Sequence, residues 1–184
     1  MAGHRAVAKR ADALLNRERI LAVAYPAFAG DPRVSLNAIA KLAGVGAGTL
    51  YRHFPTREDL ILAVYRQEVQ SLVDAVPGIL DEYPPLEALR VWFLRLAAFV
   101  RVKHGLGEAL QTAAAQAVVN ETEAPVTEAI GVLLQACENA GDVCPGLEPA
   151  DVLLLMGFLW RAGPGDAGDQ QARRVLDLAI RGLR

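Results

Sequence analysis

The sequence predicts an all-α protein made of a small N-terminal three-helix module and a larger C-terminal helical bundle. Three observations lead there. Apolar residues make up 53% of the chain but aromatic residues only 6%, an aliphatic, alanine-rich balance that suits helices packed on helices. No segment alternates convincingly as a strand would, whereas apolar residues recur at i, i+3, i+4 and i+7. Proline and glycine fall between the periodic runs, and 184 residues suffice for both modules to bury a core.

The first helix is hydrophobic and contains Pro26, which removes one hydrogen bond and predicts a kink. Ahead of it, Arg5 to Arg10 form a cationic run with two open readings, an arm that reaches DNA phosphates or the minor groove and a solvated tail. Ser35 suits the N-cap of a second helix, whose Leu36, Ile39, Ala40 and Ala43 form one apolar stripe. Gly44 stops that helix, because glycine takes a left-handed backbone without a side-chain penalty. The small Ala40 leaves room for a third helix to cross closely, pinned by Val45 and Leu50. Such a unit is a helix-turn-helix.

The third helix is expected to start near Ala47 with Gly46 as its cap and to bury Leu50 and Phe54, one turn apart. At 100° per residue, Gly48 and Arg52 then point directly away from the buried stripe, with Thr49 and Tyr51 on its flanks. Those residue types suit a DNA groove. An arginine pairs bidentately with guanine, a threonine meets a thymine methyl or a phosphate, a tyrosine donates to phosphate, and a glycine lets the backbone come close. Thr56 and Asp59 have the spacing of a capping box for a fourth helix, whose first N–H groups, beside Arg57, favour a phosphate.

The run GTLYRHFPTREDL, preceded by a hydrophobic helix and the IAKLAGV turn, resembles the DNA-binding region of TetR-type transcriptional repressors over about the first third of the chain. The opening RADALLNRERIL is similar to that of actinobacterial members. The resemblance implies a recognition helix carrying Ala47, Gly48, Thr49, Tyr51, Arg52 and His53, and a phosphate-binding cation at Arg57. Ser35 and Thr56, the caps of the neighbouring helices, complete the candidate DNA-binding set. The sequence departs from the family pattern at Gly46, where Ser or Thr is usual, at a capping cost of only about a few tenths of a kcal/mol.

Charge agrees with that reading. Residues 1–57 carry nine Lys or Arg against three acids, and the remainder carries ten against eighteen. A chain of net charge −2 is thus basic where the motif lies and acidic elsewhere. The competing explanation is a helical bundle that never meets DNA, with Tyr51, His53 and Phe54 as packing residues.

The division of labour expected from this is a DNA-binding domain over 1–57 and a ligand-binding and dimerisation domain over 58–184. The fourth helix should run from Arg57 to about Val76, on a stripe of Leu60, Val64, Leu72 and Val73, until Pro77-Gly78 ends it. The fifth, opened by Pro84-Pro85, runs from Leu86 to about His104, where two glycines close it. An alanine-rich segment follows from Leu106 to Val119, then a helix over about Ala124 to Ala140, kinked near Pro125, and a turn region through Pro149. Glu148 to Arg161 reads as one helix apolar on nearly every face, GPGDAGD as a loop, and Gln170 to Leu183 as a last amphipathic helix.

A helix apolar all round must be covered all round. With Val175, Leu176, Ala179 and Leu183 it would form a four-helix interface with a second copy, setting two recognition helices about 34 to 36 Å apart on a palindromic operator. The resemblance implies that a small apolar effector enters the C-terminal bundle and shifts the spacing of the heads, with the fourth helix as lever. Trp92, Phe93, Phe99, His104 and Met156 are the candidate pocket residues, and equally candidates for ordinary core, or for His104 a helix-capping cation.

Other classes fit poorly. There is no G-x-S-x-G, phosphate loop, metal-ligand cluster or matched nucleophile and base, and His4, His53 and His104 are scattered. Neither an enzyme, a metal nor a cofactor is expected. Glu121, Glu123 and Glu128 lie in a solvated segment. Cys137 and Cys144 are read as reduced thiols of a cytoplasmic protein, with a redox pair as the minority reading. The N-terminus lacks a signal-peptide core, and the apolar run Val152 to Trp160 is too short for a bilayer, so neither export nor a membrane partner is expected. A helical small-molecule carrier or interaction module is the alternative to a DNA-binding regulator.

Overall fold

The computed structural model describes the backbone of residues 2–105, 113–163 and 165–184, and the side chains of 12–100, 116–159, 161–163 and 165–184. Among the described residues every regular element is helical: α1 (Ala2–Gly30), α2 (Leu36–Leu42), α3 (Ala47–His53), α4 (Arg57–Glu82), α5 (Pro85–Gly105), α6 (Ala113–Ala140), α7 (Pro149–Leu155), a 3-10 helix (Met156–Arg161) and α8 (Gly165–Arg181). The chain forms two compact units, one of Met1–Gln67 with Gly105–Gln116, the other of Glu68–His104 with Ala117–Arg184.

The first unit is built on α1, α2, α3 and the start of α4. Ile20, Leu21, Ala24 and Phe28 repeat at helical spacing along α1, and they share one core with Leu36, Ile39 and Ala40 of α2, Leu50 and Phe54, and Leu60, Ile61 and Val64 of α4. Helix α1 begins at Ala2, so the Arg5 to Arg10 run belongs to its backbone and is not a separate arm or tail. Pro26 is carried inside the same helix about one turn from its end.

The second unit has its own core of Val69, Leu72, Val76, Ile79, Leu89, Trp92, Phe93, Leu96, Ile130, Leu133, Leu134, Met156, Leu159, Leu176 and Ile180. Buried Trp92 donates its indole N–H to the Leu72 carbonyl at 2.9 Å and meets the Phe93 ring edge-on at 5.3 Å. Arg90 bonds Glu87 at 2.9 Å and also pairs with Asp177, joining α5 to α8. Cys137 is buried, Cys144 is exposed, and both are free cysteines. Burial, and secondarily the charge of Asp142, pushes the Cys137 thiol up to about 11.

Several expected boundaries move. Helix α4 continues through Pro77-Gly78 to Glu82, because Val69, Leu72, Val76 and Ile79 keep the 3-4-3 spacing and bury on both sides of the proline. The part of the alanine-rich segment from Ala113 onward is the start of α6, which runs unbroken past Pro125; its Val118, Val126, Ala129, Ile130, Leu133 and Leu134 all face the core. The hydroxyls of Thr122 and Thr127 donate to the Val119 and Glu123 carbonyls on either side of that proline. Residues 106–112 of the segment lie outside the described ones.

The supposed single helix over 148–161 is two pieces. Its α-helical part stops at Leu155, where the Met156 N–H turns to the Val152 and Leu154 carbonyls, and a 3-10 segment containing Gly157 takes over. Within one subunit this element is not covered all round: Val152, Met156 and Leu159 are core, whereas Leu154 is 80% exposed and Leu155 half so. Helix α8 starts at Gly165, five residues earlier than expected. Leu176 of this helix and Leu183 just past its end, expected on an interface, are instead buried in the subunit, Val175 and Ala179 are half-buried, and Leu178 stands 60% exposed. No described helix is long and apolar enough to cross a membrane.

Gly168 marks a close approach of two backbones near the start of α8. It is buried so close to the Gly163 backbone that an added Cβ would stand 1.7 Å from the Gly163 carbonyl oxygen. Gly168→Ala is therefore expected to cost about 1 to 3 kcal/mol or more through overpacking, seen as a lower Tm in thermal unfolding. An unchanged Tm would show that the two backbones can separate freely.

Candidate nucleic-acid interface

The site starts from how α2 is delimited. Ser35 takes an extended conformation (φ −77°, ψ 152°) and its hydroxyl accepts from the Ala38 N–H at 3.2 Å. At the other end Gly44 has φ +66°, the Val45 N–H reaches back to the Ala40 carbonyl at 3.0 Å, and the Gly44 N–H bonds the Lys41 carbonyl at 3.2 Å. This six-to-one and five-to-two pair is a Schellman ending, and it reverses the chain within two residues. Half-buried Val45 packs on the shared core, which ties the turn to α1 and α4.

Gly46 caps α3 through its backbone, its carbonyl accepting from Thr49 and Leu50 at 2.9 and 3.1 Å with no side-chain cap. Leu50 and Phe54 are buried. With that edge fixed, Ala47, Gly48, Tyr51 and Arg52 are exposed, and Thr49 and His53 are half-buried on the flanks. A Cβ at Gly48 would meet nothing within 4 Å, so this outer face is open and has low relief. The His53 ring lies 6.3 Å from that of Phe54, and the Arg17 guanidinium of α1 lies 5.5 Å from the Phe54 ring on its way to solvent. Exposed Arg33 and Lys41 add further positive charge to the same unit.

The capping box forms as the spacing predicted. The Asp59 carboxylate accepts from the Thr56 N–H at 2.9 Å and the Thr56 hydroxyl at 2.7 Å, and the Asp59 N–H donates to the Thr56 hydroxyl oxygen at 3.1 Å. Two candidate residues thereby have structural work: the hydroxyls of Ser35 and Thr56 are both engaged in caps. Arg57 has partners of its own within the unit: its guanidinium donates to the carbonyls of Pro32 and Val34 and lies 5.0 Å from the Phe28 ring. Phe28, Pro32 and Val34 carry no local signal of this contact, since more than twenty residues separate them from Arg57.

Of the candidate pocket residues, Trp92, Phe93, Phe99 and Met156 are buried core, and the His104 side chain lies outside the described residues. A hollow of about 190 Å³ is lined by Phe158, Arg161, Ala162, Gln171, Ala172 and Val175, none of them among those candidates. Among the described residues no group of three or more His, Cys, Asp or Glu is placed to hold a metal ion.

Comparisons with known proteins cover both units. The family model described as bacterial regulatory proteins, tetR family, matches residues 20–64, and that of the SbtR-like transcriptional regulator C-terminal domain matches residues 84–184. The crystal structure of a TetR transcriptional regulator from Streptomyces coelicolor is 39% identical, with a TM-score of 0.79 over 91% of this chain and 98% of that one. That of a TetR transcription regulatory protein from Mycobacterium vanbaalenii is 34% identical, with a TM-score of 0.74 over 95% and 98%. An HTH-type transcriptional regulator from Staphylococcus aureus is 40% identical over 76 residues, a match spanning 40% of this chain and 41% of that protein.

The geometry of the Thr56 box sets one expectation. Thr56→Ala removes both hydroxyl bonds at the head of α4 and should lower stability by about 0.5 to 2 kcal/mol. Denaturant unfolding measures this directly, and a midpoint equal to the wild type would mean that water caps the helix equally well.

Proposed function

The chain belongs to the TetR family of bacterial transcriptional regulators, and from that premise we propose that it is a ligand-responsive repressor which binds a palindromic operator as a homodimer. The observation that carries the proposal is the open face of α3: Tyr51 and Arg52 stand in solvent while Leu50 and Phe54 anchor the opposite side. In this reading Ala47, Gly48, Thr49, Tyr51, Arg52 and His53 enter the major groove. Arg52 reads a guanine edge, Thr49 and Tyr51 meet phosphate or a thymine methyl, and Gly48 lets the backbone come close. Ser35 and Thr56 set the ends of the flanking helices.

Residues 1–57 act as the DNA-binding domain and 58–184 as the ligand-binding and dimerisation domain. The exposed leucines of α7 and α8, Leu154, Leu155 and Leu178, form the contact with the second copy. A small apolar effector enters by parting the aromatic core around Trp92, Phe93 and Phe99, and acts through α4 by preferring one arrangement of the two heads. The protein works in the cytoplasm, and no cofactor takes part.

Selection of bound duplexes from a random DNA pool by the full-length protein tests the proposal, and a palindromic consensus is the expected result. On the recovered duplex, Arg52→Ala is expected to cost about 1 to 3 kcal/mol and to relax preference at one base pair, read on a panel of single-base variants. Equal affinity across that panel for wild type and variant would refute the role given to Arg52. Leu178→Glu is expected to give a single-subunit mass in solution, and a persistent two-subunit mass would place the interface elsewhere.

A further inference from the structure

We propose that Arg57 is a positioning residue, which holds the recognition helix in place by tying the head of α4 to the α1–α2 connection, and is not a phosphate-contacting cation. The proposal rests on the reading of α3 as the DNA-reading helix.

Three contacts define the tie. One terminal nitrogen of the guanidinium donates to the Val34 carbonyl, the other to the Pro32 carbonyl, and the central carbon lies 5.0 Å from the centre of the Phe28 ring of α1. The side chain therefore joins α4, the connection before α2, and the buried face of α1. Arg57 starts from a fixed backbone, because the Thr56 and Asp59 box sets the first turn of α4.

The connection it grips is otherwise held by its own N–H groups. Asp31 donates to the Ala27 carbonyl at 2.9 Å, Val34 to the Asp31 carbonyl at 3.0 Å, and Arg33 to the Asp31 carboxylate at 2.9 Å. Arg57 takes the opposite polarity, the carbonyls. Ser35 then caps α2, and α2 carries α3 through the Gly44 turn, so a short chain of hydrogen bonds and core contacts links Arg57 to the exposed face. A guanidinium suits the task because its planar fork presents two separate nitrogens to two acceptors in a fixed geometry, which the single nitrogen of a lysine ammonium does not reproduce.

Lysine therefore separates the two roles. A phosphate contact survives Arg57→Lys, whereas a two-carbonyl tie does not. The test uses full-length wild type, Arg57→Lys, Arg57→Ala and Phe28→Leu on a duplex recovered by the wild type, with dissociation constants measured over a range of salt at a temperature where circular dichroism shows each protein folded. Titration of the binding-competent fraction removes any contribution from unfolded protein, since a purely structural defect lowers that fraction and leaves the constant of the folded remainder unchanged.

The expected result is that both Arg57 variants weaken binding by about tenfold or more, the size of one lost specific contact, with the wild-type dependence of affinity on salt. Phe28→Leu weakens binding in the same direction, and amide exchange at Arg33, Val34 and Ser35 speeds up. Wild-type affinity for Arg57→Lys, with a salt slope for Arg57→Ala reduced by about 0.9, would establish a phosphate contact and overturn the proposal. Wild-type affinity in both variants would overturn it as well. If Arg57→Ala does not fold, Arg57→Lys and Phe28→Leu decide the matter alone. A wild type that recovers no duplex would overturn the DNA-binding reading itself, and the proposal with it.

Discussion

The burial of Leu50 and Phe54 is the constraint on which the rest depends. Once those two side chains are locked into the core of α1, α2 and α4, the rotation of α3 about its axis is set, and with it the identity of every residue on the opposite face. Gly44 makes this possible by taking φ +66° and turning the chain sharply enough for α3 to cross α2. Tyr51 and Arg52 are outward as a consequence of packing, not of any property of their own. The same packing gives a seven-residue helix a defined orientation, although a helix of that length has little stability in isolation.

Electrostatics follows the same division. The basic excess of residues 1–57 coincides with the unit that presents the open helix, and the acidic excess lies in the remainder. The cations of the basic unit are not all alike, however. Arg57 is half-buried, with its guanidinium engaged by two carbonyls beside a ring, whereas Arg17, Arg33, Lys41 and Arg52 are exposed. Charge counting on a sequence treats these groups alike; the structure separates the one that braces the head from the ones that remain exposed.

The N-terminal unit was legible because its signals are local. Ser35 and its cap, the Gly44 ending and the Thr56-Asp59 box each involve residues within about one turn of one another, which is the range over which sequence pattern and backbone geometry are coupled. The second unit was less legible, because there tertiary packing overrode local preference. Pro77 and Pro125 each remove one hydrogen bond, yet Val76 with Ile79, and Val118 with Val126, bury on both sides of them and keep the helices continuous. The run over 152–160 has the pattern of a single all-apolar helix; Gly157 and a 3-10 segment instead divide it into buried Val152, Met156 and Leu159 and exposed Leu154 and Leu155. The pairing of Phe28 with Arg57, between residues far apart in the chain, leaves no periodic trace at all.

The central claim is that the outer face of α3 is the surface that meets DNA. A crystal structure of the full-length protein with a duplex selected by that protein tests this most directly. The account predicts α3 lying in the major groove, with Arg52 at hydrogen-bonding distance from a guanine edge and Thr49 and Tyr51 against the duplex. A complex in which the duplex rests on another surface, leaving Tyr51 and Arg52 in solvent, would contradict it.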